Sequence, residues 1–360
     1  MKKISFAKYD EETEKFLTLV RKINPELNIV QFGEVEAPGM SDIDILAMTE
    51  SAKDIQNLKK IMKTEFDFIE PIKILTKDQY KDFHILTHHK INKVLNGNLK
   101  VPKELDKKNK KLYDLLFFVE LLQKSLFRNF ILLNKKGDRW KIKRVLNTLY
   151  DLRRIVERLD SLSISAKEQA KYKKFIQKIK QERINFESSR REDLKKYSQE
   201  ANELLFSIIL NTDNELKKYT SGISQKKAFI SGTYFALFKK NYSKKDYYYA
   251  YRKNLPILPM SFFYVISEYI ATPGQYTDTL KHKMYPKLNS CVKEKLKIAI
   301  SKRATLLNSQ YTFAKKQKMP YGWFYSYDLF DANHSFFHLF LFVLEKIRTV
   351  ATHICLFLHK

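Results

Sequence analysis

The fold of the first part of this chain is decided by residues 32–45, which read FGEVEAPGMSDIDI. Gly33 interrupts a β-like run, and Asp42 and Asp44 then stand two residues apart in a stretch where polar and apolar residues alternate. Because successive side chains of a strand point to opposite faces, the two aspartates share one face while the isoleucines beside them point into the core. Two carboxylates on one face of a strand can converge on a hard divalent cation such as Mg²⁺.

The flanking sequence predicts a small sheet covered by helices. Helical and strand-like periodicities alternate in the order helix, strand, loop, strand, helix, strand. The expected extents of these five elements, in chain order, are 9–23, 27–32, 42–48, 52–64 and 66–75. The turn sequence Asn96-Gly97-Asn98 marks the end of this part.

The glycine turn and the Asp-x-Asp strand together resemble the nucleotidyltransferase superfamily. This superfamily includes DNA polymerase beta, the tRNA CCA-adding enzymes and small bacterial nucleotidyltransferases. Its signature is a hydrophobic residue followed by Gly-Ser or Gly-Gly, then a loop, then Asp-x-Asp within an apolar strand. Phe32-Gly33 and Ser41-Asp42-Ile43-Asp44-Ile45 match this signature, and the order of elements agrees as well. The resemblance covers residues 9–80.

The resemblance implies a metal-dependent transfer of a nucleoside monophosphate from a nucleoside triphosphate to an acceptor hydroxyl. Asp42 and Asp44 would be catalytic residues and ligands of Mg²⁺ or Mn²⁺. The turn at Gly33 would bring the backbone close to the triphosphate, and Glu34 and Ser41 would lie beside the nucleotide. The acceptor is not identified by the resemblance.

Two positions depart from the family pattern. Glu34 follows the turn glycine where the family has a serine or glycine, and a carboxylate about 5 Å from a phosphate opposes its binding by about 3 kcal/mol at an effective dielectric constant of about 20. Lys73 occupies the place at which the family supplies a third carboxylate from the following strand. Asp67 and Glu70 precede it on the same β-rich stretch, and either of them can supply that carboxylate.

The net charge of +27 lies entirely in the second part of the chain. Residues 1–100 contain 16 basic and 16 acidic residues, whereas residues 101–360 contain 51 basic and 24 acidic ones. Such an excess indicates nucleic acid or another acidic partner for this part. The alternative is a purely compositional excess, because 54 of the basic residues are lysine and only 13 are arginine.

The fold class that follows is an α/β (α+β) nucleotidyltransferase-like domain followed by a mainly α-helical, strongly basic C-terminal region. Long stretches of helical periodicity cover 107–134, 139–160, the segment that opens at Ser165, and 333–358. The sequence KAFISGTYFALF, residues 227–238, fits either a strand pair or a buried helix. The expected division is 1–98 for the α/β domain, 105–220 for a helical bundle and 221–360 for a mixed, mainly helical region.

A second hypothesis keeps the nucleotidyltransferase-like fold but assigns it no catalytic activity. The chain would then be a catalytically degenerate nucleotidyltransferase scaffold that binds nucleic acid or another acidic partner through its basic half. The lysine-rich segment 165–200 and the aromatic-basic cluster Tyr247 to Arg252 could follow a nucleic-acid backbone and stack on its bases. Solvated helix faces and packing tyrosines would explain the same stretches.

A third and weaker hypothesis is a ribonuclease similar to the HEPN family, because Arg348 and His353 match its Arg-x4-6-His motif. Chance alone is expected to produce about one such match in a chain of this composition. His84, His88 and His89 could bind a metal, since the first two would share a helical face, but the sequence shows no third ligand. Histidines packed at an interface are the alternative.

Several classes of protein are excluded by composition. Two cysteines are too few for a disulfide framework or a cysteine zinc site. The longest uncharged stretch, Asn254 to Ser267, has 14 residues and two prolines, whereas a membrane span needs roughly 20 apolar residues. The first residues turn acidic before any apolar run begins, so we expect no secretory signal and a cytoplasmic location.

Overall fold

The computed structural model describes most of the chain up to residue 325. The described residues are 4–33, 35–63, 66–70, 72–87, 89–122, 130, 141–221, 225–230, 236–253, 256–274, 284–285, 291–320 and 322–325. The fold is of mixed α+β type, with a small sheet in the N-terminal region. No helix in these ranges is both long and apolar enough to cross a bilayer.

The first part contains four helices and a four-stranded sheet. Its elements are α1 (Phe6–Ile23), β1 (Asn28–Phe32), β2 (Asp44–Met48), α2 (Ala52–Ile61), β3 (Lys73–Leu75), α3 (Lys77–Lys81), α4 (Phe83–Leu86) and β4 (Ile91–Asn96). The strand order is β3-β2-β1-β4. Strand β1 is antiparallel to β2 and to β4, and β2 is parallel to β3. The predicted order of elements is confirmed.

Two details of this sheet differ from the prediction. Within the β-rich segment 66–75 only three residues form β3, although Ile69 makes an isolated bridge with Ile43. Strand β4 was not predicted, because its sequence INKVLN is half exposed at a sheet edge and lacks a clear apolar alternation. Gly97 follows it with φ of +80°, which is the turn that the sequence indicates.

The middle part is a set of packed helices. They are α5 (Lys107–Leu121), α6 (Ile142–Tyr150), α7 (Arg153–Val156), α8 (Ala166–Ile184) and α9 (Arg191–Lys217). The helix predicted over 139–160 is divided, since α6 and α7 are separate elements. Ser165 caps α8 by accepting the N–H of Glu168 at 3.2 Å, as the sequence predicts.

The third part contains a second four-stranded sheet. Its elements are β5 (Lys227–Ile230), β6 (Ala236–Lys239), α10 (Lys244–Lys253), β7 (Ile257–Pro259), α11 (Met260–Ala271), β8 (Met284–Tyr285) and α12 (Glu294–Lys316). The strand order is β7-β6-β5-β8. Of the two interpretations of KAFISGTYFALF, the strand pair is therefore correct. The helix predicted over 333–358 lies outside the described residues.

The C-terminal segment returns to the first sheet. We call residues 322–325 the C-terminal strap. The backbone N–H of Ile74 donates to the carbonyl of Trp323 at 2.7 Å, so the strap covers the free edge of β3. The Trp323 side chain is buried in the core beneath the first sheet. The division at residue 98 stays a prediction, but residues from the far end of the chain complete this core.

Candidate active site

The turn after β1 is shaped by Gly33. Its φ is +74°, a left-handed conformation that glycine adopts without steric cost, and its N–H donates to the carbonyl of Lys90 at 3.0 Å. A Cβ atom at this position would lie 3.1 Å from Oδ2 of Asp44. The glycine therefore leaves room beside the Asp44 carboxylate.

The loop between β1 and β2 is held by two hydroxyl groups. The Ser41 hydroxyl accepts the N–H groups of Glu36 (3.2 Å) and Ala37 (3.0 Å). The Tyr9 hydroxyl donates to the Ser41 carbonyl at 2.7 Å and accepts the N–H of Gly39 at 2.8 Å. Ser41, which the resemblance places beside the nucleotide, is buried with its hydroxyl bonded to its own loop.

Three carboxylates meet at the ends of β2 and β3. Asp44 begins β2, and the bridge between Ile43 and Ile69 sets the neighbouring segment in parallel register with it. The N–H of Glu70 donates to the Ile43 carbonyl at 3.2 Å. Glu70 thus lies beside Asp44, and its carboxyl group is hydrogen-bonded to that of Asp42. Asp42 and Glu70 are exposed, and Asp44 is half-buried.

Glu12 on α1 fixes the residues that lead to Glu70. Its carboxylate accepts the backbone N–H groups of Asp67 (2.9 Å), Phe68 (2.7 Å) and Ile69 (3.0 Å). The side chain of Asp67 is exposed. Of the two residues that the sequence offers as a third carboxylate, Glu70 is the one that contacts Asp42.

Two of these carboxyl groups, those of Asp44 and Glu70, have raised pKa values. Burial and then repulsion from Glu70 raise the pKa of Asp44 to about 7, against the opposing charges of Arg154 and Lys73. Loss of solvent and the adjacent Asp42 raise the pKa of Glu70 as well. At neutral pH this cluster therefore favours holding either a proton or a cation.

A divalent cation fits the chemistry of this cluster. The three side chains are carboxylates, the ligands that Mg²⁺ and Mn²⁺ prefer. A cation would relieve the repulsion that contributes to the raised pKa values of Asp44 and Glu70. Within the described ranges, no group of three or more acidic, histidine or cysteine side chains is placed to hold a metal ion by itself. Asp42 and Asp44 are the residues that would hold the ion, with Glu70 beside them.

Lys73, at the place where the family has a carboxylate, has a different role. Its ammonium group donates to the carbonyls of Gly322 (2.6 Å) and Phe324 (3.4 Å) in the C-terminal strap. It also lies 5.4 Å from the ring centre of Tyr325. Lys73 thus joins the strap to the site, and its charge lowers the pKa values of Asp44 and Glu70.

Three arginines of the helical part, Arg153, Arg154 and Arg158, lie close enough to this region to act on its titratable groups; we call them the arginine group. Arg154 acts electrostatically on both Asp44 and Glu70. His89 lies 5.1 Å from Phe32 of β1, between ring centres, and burial together with Arg154 and Arg158 holds its pKa well below the usual value. A neutral His89 therefore lies between the first sheet and the arginine group.

Glu36, in the loop after Gly33, ties the loop to this basic group. Its carboxylate accepts hydrogen bonds from Arg153 (2.7 Å) and Lys180 (2.9 Å) and from the hydroxyl of Tyr150. The hydrogen bonds of Tyr150 and Lys180 and the charge of Arg153 outweigh burial and lower the pKa of Glu36. Glu36 stays ionised and anchors one side of the site.

The arginine group was missed in the sequence, although a signal was present. The segment DLRRIVER, residues 151–158, contains three of the 13 arginines of a chain in which lysine is four times as common. Guanidinium groups recognise phosphate in a bidentate manner, which a point charge cannot do. The local excess of arginine over a lysine-rich background was therefore a signal for this group, although two of its members form ion pairs within the protein, Arg153 with Glu36 and Arg158 with Asp114.

Among the described residues, the remaining candidate His84 has a polar contact away from this site. Nε2 of His84 lies 3.3 Å from the carbonyl oxygen of Pro102. Glu34, His88, Arg348 and His353 lie outside the described residues, so their predicted roles stay predictions.

The comparisons with known proteins leave the resemblance as an expectation. No protein-family model, no curated protein and no solved structure matches this chain.

Proposed function

We propose that the protein is a metal-dependent nucleotidyltransferase. It would transfer a nucleoside monophosphate from a nucleoside triphosphate to an acceptor hydroxyl. The observation that carries the proposal is that Asp44 and Glu70 meet beside the Gly33 turn: the N–H of Glu70 donates to the Ile43 carbonyl, and a Cβ at residue 33 would lie 3.1 Å from Oδ2 of Asp44. A carboxylate cluster that could hold a cation thus adjoins a glycine turn that could admit a triphosphate, and the positive charge of Arg154 acts on two of the carboxylates.

The reaction exchanges one phosphorus–oxygen bond for another. The acceptor oxygen forms a bond to the α-phosphorus, the bond from that phosphorus to the β-phosphate bridging oxygen breaks, and pyrophosphate leaves. Mg²⁺ or Mn²⁺, when bound, neutralises charge on the triphosphate and lowers the pKa of the attacking hydroxyl.

The remaining roles fall to residues of this chain. Asp42 and Asp44 would hold the cation, and the Gly33 turn would let the backbone approach the triphosphate. Glu70, whose pKa is raised, is a stronger base than an ordinary carboxylate and is suited to accept the proton of the acceptor hydroxyl. Arg154 would bind the phosphates and stabilise the negative charge of the leaving pyrophosphate.

Calorimetry with each of the four nucleoside triphosphates tests the proposal. In the presence of Mg²⁺ we expect micromolar binding of at least one triphosphate. The Asp42→Asn/Asp44→Asn variant should lose the Mg²⁺-dependent part of this binding, because its amides preserve the shape but not the charge. Arg154→Gln should weaken triphosphate binding both with and without Mg²⁺, since phosphate recognition by a guanidinium group does not need the cation.

The matched control is Lys143→Gln, which removes one positive charge from an exposed position of α6. It should leave triphosphate binding unchanged. Failure of every triphosphate to bind, or equal binding by the wild type and the double aspartate variant, would contradict the proposal. Either outcome would instead support the second hypothesis, a nucleotidyltransferase scaffold that no longer catalyses the reaction.

A further inference from the structure

The two sheets of this protein have the same topology. Each consists of an antiparallel strand pair, a helix, a third strand parallel to the second, and a fourth strand antiparallel to the first. The orders β3-β2-β1-β4 and β7-β6-β5-β8 are thus equivalent, with α2 in the place of α10. A long helix precedes each unit, α1 in the first and α9 in the second. We call these two sets of elements the first unit and the second unit.

The strand registers give a residue-by-residue correspondence. Met48 ends β2 and pairs with Asn28 on one side and Leu75 on the other. Lys239 ends β6 and pairs with the first residue of β5 and the last of β7 in the same way. The two sheets therefore agree in register as well as in strand order.

Helices α2 and α10, which follow these strands, share a capping contact and a pattern of buried positions. Ser51 accepts the N–H of Asp54 at the start of α2, and Ser243 accepts the N–H of Asp246 at the start of α10. In each helix, the residue directly after the aspartate of Ser-x-x-Asp is buried, and so is the residue three positions after that one. These residues are Ile55 and Leu58 in α2, and Tyr247 and Ala250 in α10. Both helices thus pack the same face on their sheets.

The second unit lacks the carboxylates of the candidate active site. Asp246 is the only acidic residue between Glu215 and Glu268, and it caps α10. The first unit, in contrast, carries the aspartate pair in its strand hairpin and Glu70 before its third strand. The second unit cannot hold a metal in the same manner, so it serves a purpose other than the same reaction.

The solvent face of α10 differs from that of α2. The exposed residues Lys244 and Lys245 are each followed four positions later by an exposed tyrosine, Tyr248 or Tyr249. Among the tyrosines whose side-chain burial the structure describes, only these two are exposed. The corresponding residues of α2 are Gln56 and Asn57, so the aromatic rings are specific to the second unit.

A lysine-rich helix face and a cavity lie near this face of α10. The solvent face of α8 presents lysines at helical spacing, namely Lys167, Lys171, Lys174 and Lys178. A cavity of about 300 Å³ lies between α8, α9 and α10, and its charged lining residues are two lysines and two glutamates, Lys171, Lys244, Glu168 and Glu203. Glu203 binds the Lys244 ammonium at 2.8 Å and accepts the Tyr248 hydroxyl, so it orients both side chains.

We propose that the second unit is a non-catalytic copy of the first and that the Lys-Tyr face of α10 binds single-stranded nucleic acid. Lysines neutralise the phosphates, and exposed rings stack on bases that are not paired. Two tyrosines side by side offer stacking surfaces that a double helix cannot use, because its bases are already stacked. Binding at α10 does not depend on the reaction at the first unit.

Fluorescence anisotropy with a labelled oligouridylate of 20 residues tests the proposal. Tyr248→Ala/Tyr249→Ala should weaken binding about tenfold or more, whereas Tyr248→Phe/Tyr249→Phe, which keeps the rings, should bind within about twofold of the wild type. Lys244→Ala/Lys245→Ala should weaken binding and reduce the slope of log K against log salt by about 1.4, because two phosphates would no longer be neutralised.

The matched control is Gln56→Ala/Asn57→Ala, at the corresponding positions of the first unit, and it should bind like the wild type. The circular dichroism spectra and melting temperatures of all variants establish that they are folded. Unchanged binding in the folded tyrosine-to-alanine variant, or equal binding of a duplex, would overturn the proposal. Equally tight binding of polyglutamate would overturn it too and would assign the face to an acidic protein.

Discussion

The ammonium group of Lys73 donates a hydrogen bond of 2.6 Å to the backbone carbonyl of Gly322, almost 250 residues further along the chain. This contact joins the site-bearing sheet to the C-terminal strap. It also gives a physical reason for the lysine at a place where the resemblance leads one to expect a carboxylate. A carboxylate there would face the carbonyls of Gly322 and Phe324 and would be repelled by both.

Lys73→Met should destabilise the protein. The methionine keeps most of the aliphatic stem but leaves the strap carbonyls without their charged donor, which costs on the order of 1–3 kcal/mol. Urea denaturation at pH 7 measures the change in the free energy of unfolding. Lys53→Met, at an exposed position of α2, is the control and should change stability by less than about 0.5 kcal/mol. Equal stability of the two variants would show that the strap is held by other contacts.

Gly33→Ala should impair both stability and triphosphate binding. The left-handed backbone costs a residue with a Cβ roughly 1–2 kcal/mol, and the new methyl group would lie against the Asp44 carboxylate at 3.1 Å. Calorimetry and thermal melting report the two effects separately.

Gly39→Ala is the matched control for this variant. Gly39 has φ of +80°, so alanine there is strained in the same way, but its Cβ would contact the side chain of Ile4. We expect a similar loss of stability with triphosphate binding retained. If Gly39→Ala and Gly33→Ala reduced binding equally, the contact with Asp44 would have no special role.

The order of elements in the first sheet could be predicted because each element has a local signature. The glycine before the Asp-x-Asp pair and the alternation over 42–48 are such signatures. Strand β4 has none, since its polar residues are held by pairing with β1, a contact distant in sequence. The strand pair β5–β6 was ambiguous for the same reason, because a short apolar run fits a strand or a buried helix equally well.

The candidate site was predictable only in part. Asp42 and Asp44 are two residues apart and can be recognised from the sequence alone. The choice between Asp67 and Glu70 depends on a bridge between Ile43 and Ile69, which is a tertiary contact. The contacts of Glu36 with Arg153 and Lys180 join residues more than 100 positions apart. Local periodicity carries no information about such pairs.

Asp44→Asn should stabilise the metal-free protein at alkaline pH. The pKa of Asp44 is about 7 in the folded protein and 3.8 ordinarily, so folding costs free energy wherever the folded carboxylate must ionise. This cost is absent below about pH 4, grows as the pH rises and is complete above pH 7. With allowance for solvent screening of a half-buried group, the gain at pH 8 is on the order of 2 kcal/mol.

Thermal melting in chelator-containing buffer at pH 4 and pH 8 measures this gain. We expect a higher melting temperature for Asp44→Asn at pH 8 and no difference at pH 4. The control is Asp67→Asn, whose exposed carboxylate should give no gain at either pH. A gain of the same size at both pH values would show that the effect does not come from ionisation of Asp44.

Glu36→Gln should have the opposite dependence on pH. The hydrogen bonds of Tyr150 and Lys180 and the charge of Arg153 lower the pKa of Glu36 below its ordinary value of 4.5. The folded state therefore gains stability from the ionised carboxylate above about pH 4.5 and loses it as the pH falls through the lowered pKa. At pH 7 the glutamine should cost about 1.5–3 kcal/mol, the range for hydrogen bonds to a charged group.

Urea denaturation of Glu36→Gln and the wild type between pH 7 and pH 3 measures this dependence. The difference in the free energy of unfolding should be largest at pH 7 and should shrink as the wild-type carboxylate takes up its proton. Glu157→Gln removes a half-exposed carboxylate that lies 3.5 Å from the same Arg153, and it should cost less than about 1 kcal/mol. If the two variants were equally stable at pH 7, Glu36 would not anchor the loop beside Gly33 to the arginine group, and the triphosphate-binding side of the site would need another support.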